Sequence, residues 1–367
     1  MITPRYVIDY KEFDKNCNVI MNAFNEMWDG EVIYGYSVKT NHENNLIKYA
    51  YDKLKWYVEV VSEYEYKKAL EIGVSEDKII FNGPYKGDLL TRAITSGAYV
   101  NLDTVAEVEE ICESKLTGNR IGLRVNFDIE KECPMETTAG DMVCRFGICY
   151  ENGELEKAIN LLRENGIPIC GLHMHTSSKT RSINIFKTIS AKVNELVEKY
   201  HLNLEYIDIG GGLFGGIERE DKPTMKEYAQ VICTELKKCI HPERTKLILE
   251  PGVSVLATCA KYETKVISVK MIRDVRVITV DGTLMHINPF MSNRIHTFNI
   301  LGKRIREKSD NTQIICGCTC MERDYLAILD KSERIEIGDI LSFENVGAYT
   351  MAFNSEFIVR PPMVYYV

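Results

Sequence analysis

Between about residue 15 and residue 250, short apolar runs alternate with longer stretches whose apolar residues recur at helical spacing. The clearest predicted helices are SEYEYKKALEIG, which Ser62 is placed to cap, and FKTISAKVNELVEKYH. A strand followed by a helix, repeated eight times, predicts a parallel sheet. Eight repeats in about 240 residues favour a closed (β/α)8 barrel, and an open doubly wound sheet is the alternative. The predicted strands are EVIYGYSV, WYVEVVS, KIIFNG, AYVNLD, RIGLRVN, ICGLHMH, YIDIGG and KLILEPG.

The pattern changes after about residue 258, where strand-like segments separated by turns replace the alternation of strands and helices. Examples are AKYETKVISVKMI, VRVITVDG, TQIICGCTC and DILSFENVGAYTM. The predicted fold class is therefore α/β, a TIM-type (β/α)8 barrel plus a C-terminal, mainly antiparallel β-domain. We expect residues 13–256 to form the barrel, residues 257–367 the β-domain, and residues 1–12 a strand that joins the β-domain.

The composition argues against two classes of partner. The 367 residues carry a formal net charge of -8, which disfavours binding to a nucleic-acid backbone. No apolar stretch reaches the roughly 20 residues that span a bilayer, and the N-terminal MITPRYVIDY lacks the apolar core of a signal peptide. We therefore expect a cytoplasmic protein without a membrane partner.

The 12 cysteines form no short-spaced disulfide framework, and most are scattered singly. The exception is CGCTC, with Cys316, Cys318 and Cys320. On a strand, alternation at period two would place all three thiols on one face. A thiolate metal site is the alternative interpretation, but no second ligand pair has zinc-like spacing, so we expect no metal.

Chemically reactive or conformationally special residues stand where four predicted barrel strands end. Lys39 follows EVIYGYSV, His173 and His175 lie in GLHMHTSS, Gly210–Gly212 end YIDIGGG, and Glu250 ends KLILE. The active site of a (β/α)8 barrel lies at these carboxyl ends.

Each of these features alone has an ordinary explanation: a surface lysine, a packing histidine, a glycine loop or a turn. Together they offer an amine, a flat ring, an approachable backbone and a buried carboxylate. Pyridoxal phosphate needs these groups, because its aldehyde bonds to an amine and its phosphate approaches glycine N–H groups. An acid paired with its ring nitrogen keeps the ring able to accept electrons.

The chain resembles, nearly end to end, the fold-type III pyridoxal-phosphate decarboxylases, which include ornithine and diaminopimelate decarboxylases. RFGI and EVVS match further stretches of that family. The resemblance implies a role for each residue of the barrel motifs: Lys39 as the Schiff-base lysine, His175 stacked on the cofactor ring, Ser178 at the phosphate, Gly210, Gly211 and Gly212 around the phosphate, and Glu250 at the pyridine nitrogen.

The β-domain carries the second part of the resemblance. GCTCMERD is similar to the family segment whose cysteine handles a proton in the partner subunit's site, and this role falls on Cys320, with Asp324 beside it. Tyr349, in GAYTM, matches the tyrosine that contacts the phosphate. The resemblance therefore implies a homodimer with shared active sites and a small amino-acid substrate.

Three departures from the family pattern concern the substrate. Val253 replaces the arginine usual after EPG, and Met321 replaces an acid that reads the substrate's distal amine. Glu322 follows, but it would face the other way on a strand. The segment DGTLMHINPFMSNRIH lacks the arginine-proline expected of a diaminopimelate enzyme, and it holds His286 and Arg294 at unmatched positions.

We therefore expect Met321, Asp324 and Arg294 to line the substrate site, and the substrate to be a specialised amino acid or amino-acid conjugate. Plain ornithine, lysine and diaminopimelate fit these departures poorly. The alternatives are an amino-acid racemase of the alanine-racemase type, a catalytically weak paralogue, and a cofactor-carrying regulatory protein. Glu250 and GCTC favour the decarboxylase over the racemase, and the β-domain disfavours the regulatory protein.

Overall fold

The computed structural model describes residues 2–116, 118, 120–140, 142–292, 296–302 and 306–367. The chain divides into two compact units. One comprises residues 17–254, and the other combines residues 1–16 with residues 255–367. The first strand, β1 (Arg5–Ile8), belongs to the second of these units.

Eight parallel strands of residues 17–254 close into a ring, because the first pairs with the last as well as with its neighbour. The closed barrel predicted from the sequence is confirmed, and the open sheet is wrong. Each of the eight predicted runs contributes one strand. A two-residue strand, β7, which pairs with the end of β6, was not predicted. The strands are β2 (Val32–Ser37), β3 (Tyr57–Val60), β4 (Ile79–Phe81), β5 (Tyr99–Leu102), β6 (Ile121–Asn126), β7 (Ile148–Cys149), β8 (Gly171–His173), β9 (Tyr206–Gly210) and β10 (Lys246–Leu249).

Helices follow the barrel strands, and local sequence signals set several of their ends. Ser62 caps α3 (Glu63–Ile72) by accepting a hydrogen bond from Glu65 N, and Gly73 ends that helix in the left-handed conformation. Thr224 and Glu227 form a reciprocal capping box at the start of α8 (Met225–Leu236). The helices are α1 (Tyr10–Met27), α2 (Asn44–Asp52), α3 (Glu63–Ile72), α4 (Leu90–Thr95), α5 (Val105–Glu113), α6 (Glu154–Glu164), α7 (Ile183–Tyr200), α8 (Met225–Leu236) and α9 (Val253–Leu256).

The lower part of the barrel interior is filled by apolar and aromatic side chains. Tyr206 lies edge-on to Tyr99, with ring centroids 4.9 Å apart. Gly122 and Gly171 make room for this ring, because a Cβ on either would lie 2.2 Å from atoms of Tyr206. The buried cluster consists of Ile33, Tyr57, Ile80, Tyr99, Cys170, Tyr206 and Ile248.

A buried polar layer lies two residues further along the same strands. Because side chains on one face of a strand recur every second residue, the residues after this apolar floor face the same interior. These side chains are at most 3% exposed, so each needs a hydrogen-bond partner or a changed protonation state. Five of them follow a residue of the cluster by two positions, namely Glu59, Asn82, Asn101, Asp208 and Glu250, and the sixth, His173, follows Gly171 by two positions.

The second unit is built on the 13-residue strand β11, which pairs with β1, β12 and β16. The sheet is mainly antiparallel, as predicted, with parallel pairing of β12 with β14 and of β1 with β17. Single helical turns occur at Leu284–His286 and Met351–Phe353. The strands are β11 (Ala260–Ile272), β12 (Val275–Val280), β13 (Phe298–Leu301), β14 (Thr312–Cys316), β15 (Tyr325–Leu329), β16 (Ile340–Phe343) and β17 (Met363–Tyr366). Within the described part of the chain, every helix is too short or too polar to cross a membrane.

Candidate active site

Lys39 lies in the turn that directly follows β2, and its amine is paired with a buried carboxylate. Lys39 Nζ lies 2.6 Å from Glu59 Oε1 and 2.5 Å from Glu59 Oε2. The hydroxyl of Ser37 also donates to Glu59 Oε2, at 2.7 Å. The Glu59 side chain has no solvent exposure, whereas that of Lys39 is 31% exposed. The amine is therefore held as a charged partner of Glu59 while it stays accessible to a small molecule.

Asn82 connects this ion pair to Glu250. Its side-chain amide donates to Glu250 Oε1 at 2.5 Å and to Glu59 Oε1 at 3.3 Å. Asn101 donates in turn to Asn82 Oδ1 at 2.8 Å, which fixes the direction of the Asn82 amide. One continuous chain of hydrogen bonds thus joins the amine of Lys39 to the predicted partner of a cofactor ring nitrogen.

Asp208 lies on β9, directly beside Glu250, and sequence reasoning gave it no role. Its Oδ1 accepts a hydrogen bond from Gly210 N at 2.8 Å. Its side chain is also hydrogen-bonded to the carboxyl of Glu250. Complete burial, reinforced by the negative charge of Glu250, raises the pKa of Asp208 well above its usual range. Asp208 therefore holds a proton more tightly than an ordinary carboxyl group, and it lies next to an acid that accepts from Asn82.

His173 and His175 lie parallel, with 7° between the ring planes and 6.2 Å between the ring centroids. Burial, and then the charge of Arg124, hold the pKa of both imidazoles well below the usual value, so both are neutral. Gly211 N donates to His175 Nδ1 at 3.1 Å, which places the proton of that ring on Nε2. Neither ring nitrogen of His173 has a hydrogen-bond partner among the described residues, and His173 Nε2 lies 3.8 Å from Glu250 Oε2.

The three glycines after β9 serve different purposes. A Cβ on Gly210 would lie 2.5 Å from His175 Cβ, and a Cβ on Gly211 would lie 2.5 Å from the carbonyl oxygen of Glu250. Both positions need glycine because neighbouring strands approach closely. Their N–H groups donate to Asp208 and His175, so both groups already have acceptors within the protein, and the contact of these glycines with a phosphate stays a prediction. Gly212 has φ +90°, and its nearest neighbour, the carbonyl oxygen of Thr176, would lie 3.6 Å from an added Cβ.

Two further polar groups lie on the same unit. Ser178 is buried, and its Oγ accepts from Arg181 N at 2.6 Å, which leaves the hydroxyl hydrogen able to donate elsewhere. Arg124 on β6 donates to Asp103 at 3.2 Å, and its guanidinium lies 4.7 Å from the ring centroid of Phe146. The buried Nε of Arg124 has no hydrogen-bond partner in the described part of the chain. It is therefore a donor suited to an anionic ligand.

The cysteine segment of the second unit differs from its prediction. Cys316 is the last residue of β14, and Cys318 and Cys320 lie in the following loop, residues 317–324. The prediction that three thiols share a strand face is therefore wrong. Burial raises the pKa of Cys316 and Cys318, whereas Cys320 is exposed. Glu322 is exposed in the same loop, so strand alternation does not determine its direction.

Asp324 organises this loop. Its buried carboxylate accepts from Thr283 Oγ1 at 3.0 Å, from Leu284 N at 2.7 Å, and from both N and Oγ1 of Thr319. A Cβ on Gly317 would lie 2.1 Å from the same carboxylate, so the loop folds tightly around it. All four donors belong to the same unit as Asp324, so the carboxylate is satisfied within that unit. Both carboxylate oxygens of Asp324 already accept hydrogen bonds, and its contact with substrate stays a prediction.

Tyr349 is half-buried and has φ +56°. It borders a hollow of about 370 Å3 and packs against Phe353, with ring centroids 6.4 Å apart. The other lining residues are uncharged: Ile287, Asn288, Pro289, Phe290 and Ser292. Among the residues that the structure describes, none with a charged side chain lines this hollow.

The departures from the family pattern fall at three kinds of position. Val253 is half-buried in the first turn of α9. His286 is buried and hydrogen-bonded to Tyr262 at 2.8 Å, and burial lowers the pKa of its imidazole to about 4. It therefore has a structural role in the domain core. Arg294, expected in the substrate site, lies outside the described residues.

Sequence reasoning missed most of the polar layer. Asn82, Asn101 and Asp208 were given no role, and Glu59 was recognised only within the EVVS match. Each is a single polar residue inside or just after an apolar strand run. Counting back by two residues from Gly210 finds Asp208, because the strand period places both on the barrel interior. Counting forward by two residues from Ile80 and Tyr99 finds the two asparagines.

The similarity to known proteins covers the whole chain. Residues 12–257 match the family described as "Pyridoxal-dependent decarboxylase, pyridoxal binding domain". Diaminopimelate decarboxylase from Archaeoglobus fulgidus is 27% identical over 370 residues, covering 98% of this chain and 86% of the relative. The diaminopimelate decarboxylase of Methanocaldococcus jannaschii is 29% identical over 381 residues, covering 99% of this chain and 86% of the relative.

Solved structures also resemble the chain over its whole length. Diaminopimelate decarboxylase from M. jannaschii, solved with L-lysine, superposes with a TM-score of 0.86 at 26% identity, covering 99% of this chain and 87% of that one. The arginine decarboxylase of Paramecium bursaria Chlorella virus has a TM-score of 0.82 at 22% identity, covering 100% of this chain and 96% of that one, which shows a shared fold. The family match covers the whole barrel with its lysine, histidine, glycine and glutamate motifs, so the chain belongs to the fold-type III pyridoxal-dependent amino-acid decarboxylases.

Proposed function

We propose that Lys39 is the residue that bonds pyridoxal phosphate and that Glu250 holds the ring nitrogen of the cofactor. The observation that carries this assignment is the continuous hydrogen-bond chain from Lys39 through Glu59 and Asn82 to Glu250. In it, an accessible amine and a buried carboxylate lie in one rigid layer at the carboxyl ends of neighbouring barrel strands. His175 is proposed to lie flat against the cofactor ring.

The residues present fit this cofactor in three respects. Buried ring nitrogens of His173 and the Nε of Arg124 have no hydrogen-bond partner among the described residues. Gly212 adopts φ +90°, a conformation that glycine adopts without strain, and Ser178 retains a hydroxyl hydrogen to donate. When bound, pyridoxal phosphate supplies an electron sink for the carbon that loses its carboxylate.

The protein's own groups then have distinct tasks. Asn82 donates to Glu250 and so favours its ionised form, which can hold a proton on a ring nitrogen. Glu59 holds the ammonium of Lys39 and is placed to receive a proton from Nζ. Neutral His175 contributes a flat face and adds no positive charge. Cys320, through Sγ, is proposed to deliver a proton to the substrate Cα.

The substrate is proposed to be a specialised amino acid or conjugate whose distal end is neutral, apolar or acidic. Met321 is half-buried where the family places an acid, and the hollow beside Tyr349 has an uncharged described wall. A distal ammonium in such surroundings would lack its carboxylate partner, at a cost of several kcal/mol. The names of the relatives make diaminopimelate the competing proposal.

The chain is further proposed to form a homodimer whose sites are shared. One face of the β12–β14–β15 sheet presents Val277, Ile314 and Ile328 in register, and Ile328 is 65% exposed. Val277 and Ile314 are half-buried, and partly exposed apolar rows of this kind are typical of protein interfaces. The loop that carries Cys320 joins two of these strands, so a partner that covers this face would lie next to the thiol.

The test is release of carbon dioxide by purified protein across a panel of amino acids. The panel contains ornithine, lysine, diaminopimelate and their N-acylated or distally neutral analogues, and Lys39→Ala is the negative control. We expect release from a distally neutral or acidic compound to exceed release from ornithine or lysine. Efficient decarboxylation of meso-diaminopimelate alone would replace the specialised-substrate proposal, and no release from any compound would contradict the decarboxylase role of these residues.

A further inference from the structure

Asp208 and Glu250 form a pair of buried carboxyl groups on adjacent strands, Asp208 within β9 and Glu250 directly after β10. Asp208 has no solvent exposure, and Glu250 is 3% exposed. One carboxyl oxygen from each of these two acids and one ring nitrogen of His173 all lie within 4.8 Å of one another. Asp208 Oδ1 accepts from Gly210 N at 2.8 Å, and its Oδ2 has one long contact, 3.4 Å, with the amide of Asn101. The side chain is thus fixed at one oxygen, with the other carboxyl as its neighbour.

Two carboxyl groups in hydrogen-bond contact inside a protein share a proton, because two adjacent buried negative charges repel strongly. The surroundings determine which acid keeps it. Asn82 donates to Glu250 at 2.5 Å and so stabilises a carboxylate there. The groups facing Asp208 add no positive charge: Glu59 is acidic, His173 is neutral, and burial raises the pKa of Tyr206 well above its usual value.

We propose that Asp208 is a positioning residue which, as a neutral carboxylic acid, donates its O–H to Glu250 and holds that carboxylate ionised and correctly oriented toward the cofactor. Burial, and then the charge of Glu250, raise the pKa of Asp208, which agrees with this protonation state. The inference rests on the proposed role of Glu250. It adds a second acid, Asp208, which acts on Glu250 by staying protonated.

The proposal predicts different kcat values for two substitutions of Asp208. Asp208→Asn preserves the shape of a neutral acid, since its amide can accept from Gly210 N and donate to Glu250. Asp208→Ala removes the donor. Loss of one hydrogen bond to a charged group is expected to lower kcat by about tenfold to a hundredfold, with KM changed by less than about threefold. We expect Asp208→Asn to retain at least about tenfold more kcat than Asp208→Ala.

The direct readout is infrared spectroscopy of the cofactor-free protein at neutral pH, which needs no turnover. The wild-type minus Asp208→Asn difference spectrum should contain the C=O stretch of a protonated carboxyl group, with no matching loss of a carboxylate band. A lost carboxylate band would overturn the proposal, because Asp208 would then be ionised. A stoichiometric metal ion that Asp208→Asn removes would also overturn it, since both acids would then be ligands.

The kinetic comparison is an independent test of the same proposal. If Asp208→Asn is as damaging as Asp208→Ala in two equally folded variants, the neutral-donor role is wrong. If Asp208→Ala does not fold, the infrared difference spectrum of Asp208→Asn still decides. Failure of this inference is distinguishable from failure of the proposed function. If wild type is coloured and Lys39→Ala is colourless, the cofactor assignment stands, even when the infrared signal of a protonated carboxyl group is absent.

Discussion

Lys39 Nζ lies within 2.6 Å of both carboxylate oxygens of Glu59, a residue with no solvent exposure. This relationship explains how a lysine can be held at the carboxyl end of an apolar strand. Burial of either charge alone would be costly, and the pair offsets that cost while Ser37 satisfies a remaining acceptor site. The amine is held in place before any ligand binds, and Glu59 is its nearest proton acceptor.

Glu250→Gln should leave the cofactor bound and slow decarboxylation by about a hundredfold or more, because a neutral amide cannot hold a proton on the ring nitrogen. Stopped-flow measurement of kcat, together with titration of cofactor binding by absorbance, checks both parts. The matched control is Glu164→Gln, the same carboxyl-to-amide change at an exposed residue of α6. An unchanged kcat in Glu250→Gln would mean that another group holds the ring proton.

Mixing Lys39→Ala chains with Cys320→Ala chains should restore activity. A heterodimer would carry one site with both defects and one intact site, so a random mixture of dimers should reach about a quarter of wild-type kcat. The control mixture combines Lys39→Ala with Glu250→Gln; both changes lie in the barrel, and every site then keeps one defect. Absence of complementation after proven subunit exchange would contradict the shared site.

Met321→Asp should raise kcat/KM toward a basic diamino acid and lower it toward the natural substrate. A carboxylate that pairs with a buried ammonium can recover about 3 kcal/mol, a factor of over about 100 in kcat/KM. Glu322→Gln is the control, because Glu322 is exposed in the same loop. If wild type already decarboxylates ornithine or lysine efficiently and Glu322→Gln abolishes this, Glu322 is the group that reads the amine.

Glu65 gives a pH-dependent prediction. Burial, and then the negative charge of Glu59, raise the pKa of Glu65 to about 7. Between pH values of about 4.5 and about 7, Glu65 is protonated in the folded protein but ionised in the unfolded chain. The free energy of unfolding therefore falls as pH rises through this range. Glu65→Gln should remove this loss, up to about 3 kcal/mol. Urea unfolding of both proteins at pH 5 and pH 8 should show the difference between them growing in favour of the variant at pH 8; a constant difference would contradict the raised pKa.

The eight barrel strands could be predicted because each is a short, mainly apolar and almost completely buried run. The strand period could have located the residues of the buried polar layer, but the roles of Asn82 and Asp208 could not be predicted, because their hydrogen-bond partners lie on other strands of the ring. The cysteine loop failed for a related reason. TQIICGCTC continues the alternation of a strand, but tertiary hydrogen bonds to Asp324 fold residues 317–324 into a loop.

Reduction with borohydride, followed by protease digestion and mass mapping of the peptides, tests the central claim most directly. We predict that the purified protein is coloured, that reduction removes the colour, and that a pyridoxyl group is found on the peptide containing Lys39. Lys39→Arg, which keeps a charged partner for Glu59, should be folded, colourless and inactive, and Lys39→Ala should also be less stable because Glu59 is left buried and unpaired. A pyridoxyl group on a different lysine, or full decarboxylase activity in Lys39→Arg, would contradict the account.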